Sequence, residues 1–137
     1  MLGGFKMISL MIADDNVSVA EHLSYMLTKE KDFRIINISH NGLEALMCYN
    51  SERPDVLLLN LDMPGINGLD VIENIEDEKK NIIVISGSYE YRSKLRDMTK
   101  IQWVLDKPFY YDELFEVIRK IKRLEDEKNL EYKINEL

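Results

Sequence analysis

The sequence predicts an α/β fold, a single parallel sheet of five strands with helices on both faces. Short, largely apolar segments recur at Ile8–Ala13, 33–38, Val56–Asn60, Ile82–Ser86 and 101–105, each too short for an amphipathic helix. Between them lie segments with apolar residues at helical spacing. Strand and helix thus alternate along the whole chain, the order that parallel strands joined by helical crossovers require.

The elements follow in order. Ile8–Ala13 is apolar apart from Ser9, as suits a strand buried on both faces. Asp15 or Asn16 can cap the next helix, whose inward stripe is Ala20, Leu23, Met26 and Leu27. Residues 33–38 form the second strand. Asn41-Gly42 turns into a short helix marked by Leu43, Leu46 and Met47, which ends before Pro54. Val56–Asn60 is the third strand, Gly65 and Gly68 punctuate the loop after it, and Leu69, Ile72 and Ile75 stripe the following helix. Asn81 precedes the fourth strand, Ile82–Ser86. Residues 89–98 read as a helix with a weak stripe, and residues 101–105 as the fifth strand. The last helix starts near Tyr111-Asp112 and carries Leu114, Val117, Ile118 and Ile121. Residues 124–137 are charged and lack Gly and Pro. Ile121, Leu124, Leu130, Ile134 and Leu137 hint at a stripe that breaks between Leu124 and Leu130. That tail reads as a frayed helix, a linker to an output domain, or a short coiled-coil seam.

Composition narrows the functions. At 137 residues the chain makes one domain with a real core. A net charge of −7 argues against direct binding to nucleic acid, which needs basic surface. No apolar run approaches the ~20 residues of a membrane helix. The first residues lack the apolar core of a secretory signal, so a cytoplasmic location is expected. The single Cys48 excludes an intrachain disulfide and a cysteine zinc cluster.

Function is written at the strand ends. The first strand ends in Asp14-Asp15, the third in Asn60, the fourth in Ser86, and the fifth leads to Lys107-Pro108. In an open parallel sheet, ligands bind in the crevice beyond the carboxyl ends of the strands. A carboxylate pair, an amide, a hydroxyl and an ammonium on one rim outline a phosphoryl and metal site. Each has a blander reading alone: Asp14-Asp15 as a loop pair capping a helix, Ser86 as a cap, Lys107 as a surface lysine. Their convergence favours the site.

These residues resemble the receiver domain of two-component response regulators. The matching pieces are Asp14-Asp15, the stretch from Pro54-Asp55 through Met63-Pro64-Gly65 to Gly68, Ser86-Gly87, and Lys107-Pro108-Phe109. They span residues 6–123 and leave 124–137 as a charged helical tail or linker. The resemblance implies the flavodoxin-like (CheY-like) sheet in the order 2-1-3-4-5. It implies a phosphorelay role in which an aspartate takes a phosphoryl group from a histidine kinase or phosphotransfer protein, with bound Mg2+, to control an output domain or partner protein. Asp14 and Asp15 match the acids that hold the metal. Ser86 matches the hydroxyl that reports phosphorylation, Lys107 the lysine that contacts the phosphoryl group, and Lys107-Pro108 a bond that is usually cis in the family. Two positions depart from the pattern. The phosphoacceptor position is Asn60, and the switch aromatic falls on Val104, with Trp103 beside it. The implied partner face is the fourth helix, the fifth strand and the last helix, with the tail as a possible route to a homodimer.

Acyl phosphate formation needs a carboxylate oxygen attacking phosphorus in line, with metal and lysine offsetting the charge. An amide oxygen is neutral and would give an unstable imidate, so Asn60 is not expected to accept a phosphoryl group. The chain reads equally as a natural pseudo-receiver and as an Asp-to-Asn variant of an ordinary receiver. Asn60 is still expected to offer its carbonyl oxygen to a weakly held Mg2+, beside Asp15, Asp14 through water, and the Asp62 backbone carbonyl. The side chain of Asp62 reads as a solvated loop acid rather than a stand-in acceptor. The expectation is therefore a signalling module and no enzyme. The alternative is a haloacid-dehalogenase-like Mg-dependent phosphatase, which needs Asp-x-Asp after a strand; Asn60-Leu61-Asp62 is one residue from that, and again the nucleophile position is the amide. A flavodoxin-like flavin carrier would need a phosphate loop that is missing after the first strand. His22 and His40 show no ligand spacing, and Cys48 reads as a helix thiol without a role. Trp103, Tyr110 and Tyr111 are candidates for an exposed aromatic patch, with partial burial the competing reading for Trp103.

Overall fold

A strand covered on both faces has no water to satisfy its backbone, so its amides and carbonyls must pair with neighbouring strands. The computed structural model describes residues 6–87, 95 and 98–137. In it the apolar runs pair as expected: β1 (Ile8–Ala13), β2 (Phe33–Ser39), β3 (Val56–Asn60), β4 (Ile82–Ser86) and β5 (Ile101–Asp106) form one sheet. All neighbours are parallel, and the order is β2-β1-β3-β4-β5. This is the order that the resemblance implies.

Alternate residues of each central strand face opposite layers. Leu58, Ile83 and Ile85 join the core under α1 (Val17–Thr28) and the C-terminal helix. Leu57, Leu59 and Val84 join the core under α2 (Gly42–Glu52) and α3 (Gly68–Asn74). Leu95 is buried in that second core. Otherwise, apart from Met98, the helix expected over residues 89–98 lies outside the described residues.

Helix α1 is capped by Asn16, whose side chain accepts the Val19 N–H at 3.1 Å. Its buried stripe is Ala20, Leu23 and Leu27, with Met26 half-buried. Helix α2 differs from expectation. Leu43 and Met47 are exposed, whereas Ala45 and Tyr49 turn inward. The helix carries apolar groups on two sides, and the larger group takes the core. Tyr49 is also the one that fits a polar partner: its hydroxyl donates to Asn81 Oδ1 at 3.0 Å, and the Asn81 amide donates to the Pro54 carbonyl at 3.1 Å. In α3, Val71 joins Ile72 and Ile75 in the core, and Leu69 is only half-buried. An Asn67–Asp70 capping box starts that helix.

The last helix, α4 (Tyr111–Asn135), runs for 25 residues without a break, so the charged tail is helical. At 1.5 Å per residue it is roughly 37 Å long and outruns the sheet. Leu114, Val117, Ile118 and Ile121 are buried, while every residue from Glu127 onward is exposed. At about 100° per residue, Leu130 and Ile134 fall on the opposite side of the helix from Ile121, which is why the stripe breaks after Leu124, and Leu137 lies beyond the helix end. Among the described residues no helix is long and apolar enough to cross a membrane.

Candidate functional site

The site is built by strand register. Ala13 pairs with Leu59, Asn60 with Ile85, and Ser86 with Asp106. The residues that close β1, β3, β4 and β5 therefore sit along one edge of the sheet.

Asp14 leaves β1 with its backbone N–H on the Ser39 carbonyl at 2.9 Å, and its side chain is buried at 6% exposure. Its Oδ1 accepts the Asn16 N–H at 2.9 Å and the Asn60 amide at 3.2 Å. Asp15 is exposed, and its Oδ1 accepts the same Asn60 nitrogen at 3.3 Å. That nitrogen also lies 3.3 Å from the Asp62 carbonyl oxygen, while Asn60 Oδ1 accepts the Asp62 N–H at 3.2 Å. An amide nitrogen carries two hydrogens, so it shares them among three acceptors. The structure thus gathers Asp14, Asp15, Asn60 and the Asp62 backbone around one point.

The loop after β3 is held close by glycine. A Cβ on Gly68 would fall 2.6 Å from the Leu61 Cα and 2.9 Å from the Asn60 carbonyl oxygen. Only glycine lets α3 start this near the strand end, where the Gly68 N–H meets the Leu61 carbonyl at 3.0 Å. Gly65 adopts φ 72°, the left-handed region that other residues reach at a cost.

Ser86 is buried at the end of β4, and its carbonyl accepts the Lys107 N–H at 3.1 Å. The Lys107–Pro108 peptide is cis. Lys107 is exposed, and among the described residues no carboxylate lies within ion-pair distance of its ammonium. Val104, at the switch-aromatic position, is half-buried on the α2–α3 face. Trp103 is 40% exposed, with the Lys120 ammonium 6.0 Å from its ring centroid. The three-residue aromatic patch does not form. Tyr110 is exposed, but Tyr111 packs into the core edge-on to Phe109 and His22.

Two neighbours escaped the sequence. His40 Nδ1 lies 2.9 Å from the Asp14 carbonyl oxygen. A cavity of about 510 Å³ opens beside Asp14, and its polar lining includes Ser18, His22, Asn60 and Lys107. The histidines are 18 residues apart in the chain and carried no ligand spacing; only the fold brings His40 onto the Asp14 carbonyl and His22 to the cavity wall.

Mg2+ takes oxygen ligands in near-octahedral geometry. Oxygens of Asp14, Asp15 and the Asp62 carbonyl do converge here, but they converge on the Asn60 nitrogen. Sequence reasoning placed the Asn60 oxygen there; in the structure that oxygen is engaged by the Asp62 N–H. Turning the amide over would set its oxygen against two carboxylates and leave that N–H without an acceptor. The donor set as arranged does not fit the ion. Among the described residues, no group of three or more His, Cys, Asp or Glu side chains is placed to hold a metal.

Comparison with known proteins agrees with the fold. Residues 10–119 match the family described as the response regulator receiver domain. The sensory transduction protein LytT of Oceanobacillus iheyensis is 35% identical over 106 residues, covering 74% of this chain and 43% of LytT. A response regulatory protein of Shewanella oneidensis is 29% identical over 118 residues, covering 85% of this chain and 50% of the relative. The chain spans half or less of the length of these relatives. Among solved structures, the response regulator TrrA of Thermotoga maritima, in complex with Mg(2+)-BeF, is 33% identical with a TM-score of 0.73, covering 84% of this chain and 99% of TrrA.

Proposed function

The chain belongs to the response regulator receiver domain family of two-component signalling, and we propose that it is a receiver that acts by docking on protein partners and takes no phosphoryl group at Asn60. The observation that carries this reading is the amide at the end of β3, hydrogen-bonded to the Asp14 and Asp15 carboxylates where a nucleophilic carboxylate is needed. The neighbouring residues support the reading as the remaining parts of a phosphoryl site: the acid pair, a hydroxyl on Ser86, and an exposed Lys107 ammonium. The partners are a histidine kinase or phosphotransfer protein on the input side. On the output side stands a further domain or a separate protein, in keeping with relatives about twice as long. The chain is a signalling module and not itself an enzyme in this reading. The continuous α4 helix carries exposed Leu130 and Ile134, which suit a helical partner or a second copy.

The test is incubation with acetyl phosphate and Mg2+ followed by intact-mass and peptide mass spectrometry. The present sequence should show no phosphoryl adduct. Asn60→Asp should show one, dependent on Mg2+, and Lys107→Ala in that background should reduce it. An adduct on the present sequence, mapped to Asp62 or Asp14, overturns the reading. Failure of Asn60→Asp to take phosphate means that the rim is not a working receiver site.

A further inference from the structure

We propose that Asn60 is the resident occupant of the acidic pocket: its amide nitrogen fills the point where Asp14, Asp15 and the Asp62 carbonyl converge, and so closes the pocket to Mg2+. The inference rests on the receiver reading of this rim and adds to it what holds the two carboxylates together at this point.

Two carboxylates facing one point repel each other unless something positive stands between them. Here that something is the partial positive charge of the amide hydrogens, shared among Asp14 Oδ1 at 3.2 Å, Asp15 Oδ1 at 3.3 Å and the Asp62 carbonyl at 3.3 Å. The other end of the amide is pinned by the Asp62 N–H at 3.2 Å. A cation entering the pocket meets N–H hydrogens, not an oxygen. It has to expel the amide, break four contacts and leave the Asp62 N–H unpaired. The amide is therefore a plug and not a weak ligand. The two roles differ in sign, because removing a ligand weakens metal binding whereas removing a plug strengthens it.

Asn60→Ala separates them. With the full chain, Mn2+ is titrated and the free ion is read by electron paramagnetic resonance, with Mg2+ as competitor. Asn60→Ala should bind Mn2+ at least about tenfold more tightly than the present sequence, the factor expected when an occupant worth roughly 1.4 kcal/mol need not be displaced. Asp15→Ala added to Asn60→Ala should abolish that gain. Equal or weaker binding by Asn60→Ala overturns the proposal. A second measurement does not depend on that variant folding. The melting temperature of the present sequence should be the same in EDTA and in millimolar Mg2+, and a rise with Mg2+ overturns the proposal as well. The outcome is separable from the phosphoryl test. A gain of Mn2+ binding in Asn60→Ala with no adduct on Asn60→Asp sinks the receiver chemistry alone. An adduct on Asn60→Asp with no gain in Asn60→Ala sinks the plug alone.

Discussion

Asn60→Asp exchanges one nitrogen for one oxygen and, at neutral pH, puts a third negative charge where the amide now stands 3.2 and 3.3 Å from the Asp14 and Asp15 carboxylates. Two like charges about 4 Å apart repel by about 1 kcal/mol in bulk water and by about 4 kcal/mol at the effective dielectric of a protein surface. Asp15 is exposed and Asn60 half-buried, so the lower half of that range applies. Losing the N–H contacts removes about 1 kcal/mol more per bond. Over two carboxylates and two amide hydrogens the sum is a destabilisation of at least about 4 kcal/mol in the absence of divalent ions. For a domain of this size it lowers the melting temperature by roughly 15 °C. The assay is thermal unfolding by circular dichroism in EDTA, across pH. The new carboxyl sits beside two like charges, so its folded pKa lies above the unfolded value of about 3.9. An acid with a raised folded pKa costs nothing below its unfolded pKa, and the cost grows as the pH climbs to the folded value. The charge part of the gap between the two proteins should therefore be lost near pH 4 and full at pH 8, so the gap is smallest at the acid end. Mg2+ should close the gap, because binding to the folded acid cluster stabilises it. An Asn60→Asp protein as stable as the present sequence at pH 8 in EDTA refutes the charge argument.

Further predictions follow from the scaffold. Arg119 donates to Asp32 at 2.8 and 2.9 Å and to Glu30 at 2.9 Å, with its guanidinium 4.7 Å from the Phe33 ring centroid. Arg119→Ala should cost about 1–2 kcal/mol in urea unfolding at pH 7, since the pairs are partly solvated. The hydrogen bond from Arg119 holds the Asp32 pKa below 3.8, so that stability is full above this value and the gap closes as the pH falls beneath it. Tyr49→Phe leaves the buried Asn81 oxygen without its hydroxyl donor and should cost about 1–2 kcal/mol. Burial pushes the Tyr49 hydroxyl up to about 12 from 10.0, so the folded state loses stability between those values as the unfolded tyrosine ionises. Tyr49→Phe should lack that part of the alkaline loss, and ultraviolet titration should lack the late tyrosinate. Gly68→Ala forces a Cβ to within 2.6 Å of the Leu61 backbone and should cost about 2–3 kcal/mol in chemical denaturation. A Gly68→Ala protein of unchanged stability contradicts the close approach at the end of β3.

Much of this protein was legible without coordinates because the signals are local. Short, largely apolar runs named the five strands, most continuously in β3 and β4, since a strand covered on both faces has no polar side to show. Polar residues at the ends of those runs named the rim, because in a parallel sheet all those ends point the same way. The identity of Asn60 carried the chemical expectation, since nucleophilicity belongs to the functional group and not to its surroundings. Other features depended on contacts between residues far apart in the chain. Helix α2 has apolar groups on two sides, and periodicity alone favoured Leu43 and Met47; Tyr49 went inward with Asn81, 32 residues away, waiting for its hydroxyl. Tyr111 packs against a core that Phe115 belongs to, with Phe109 beside it. The tail's helix was an open reading until α4 proved continuous, because a stripe that changes sides has no single partner to announce it. The direction of the Asn60 amide is the clearest case. Sequence determined that an amide stands at the strand end. Tertiary structure decided which end of it faces the acids, because that choice is set by Asp14, 46 residues away, and by the one N–H that only the amide oxygen can accept.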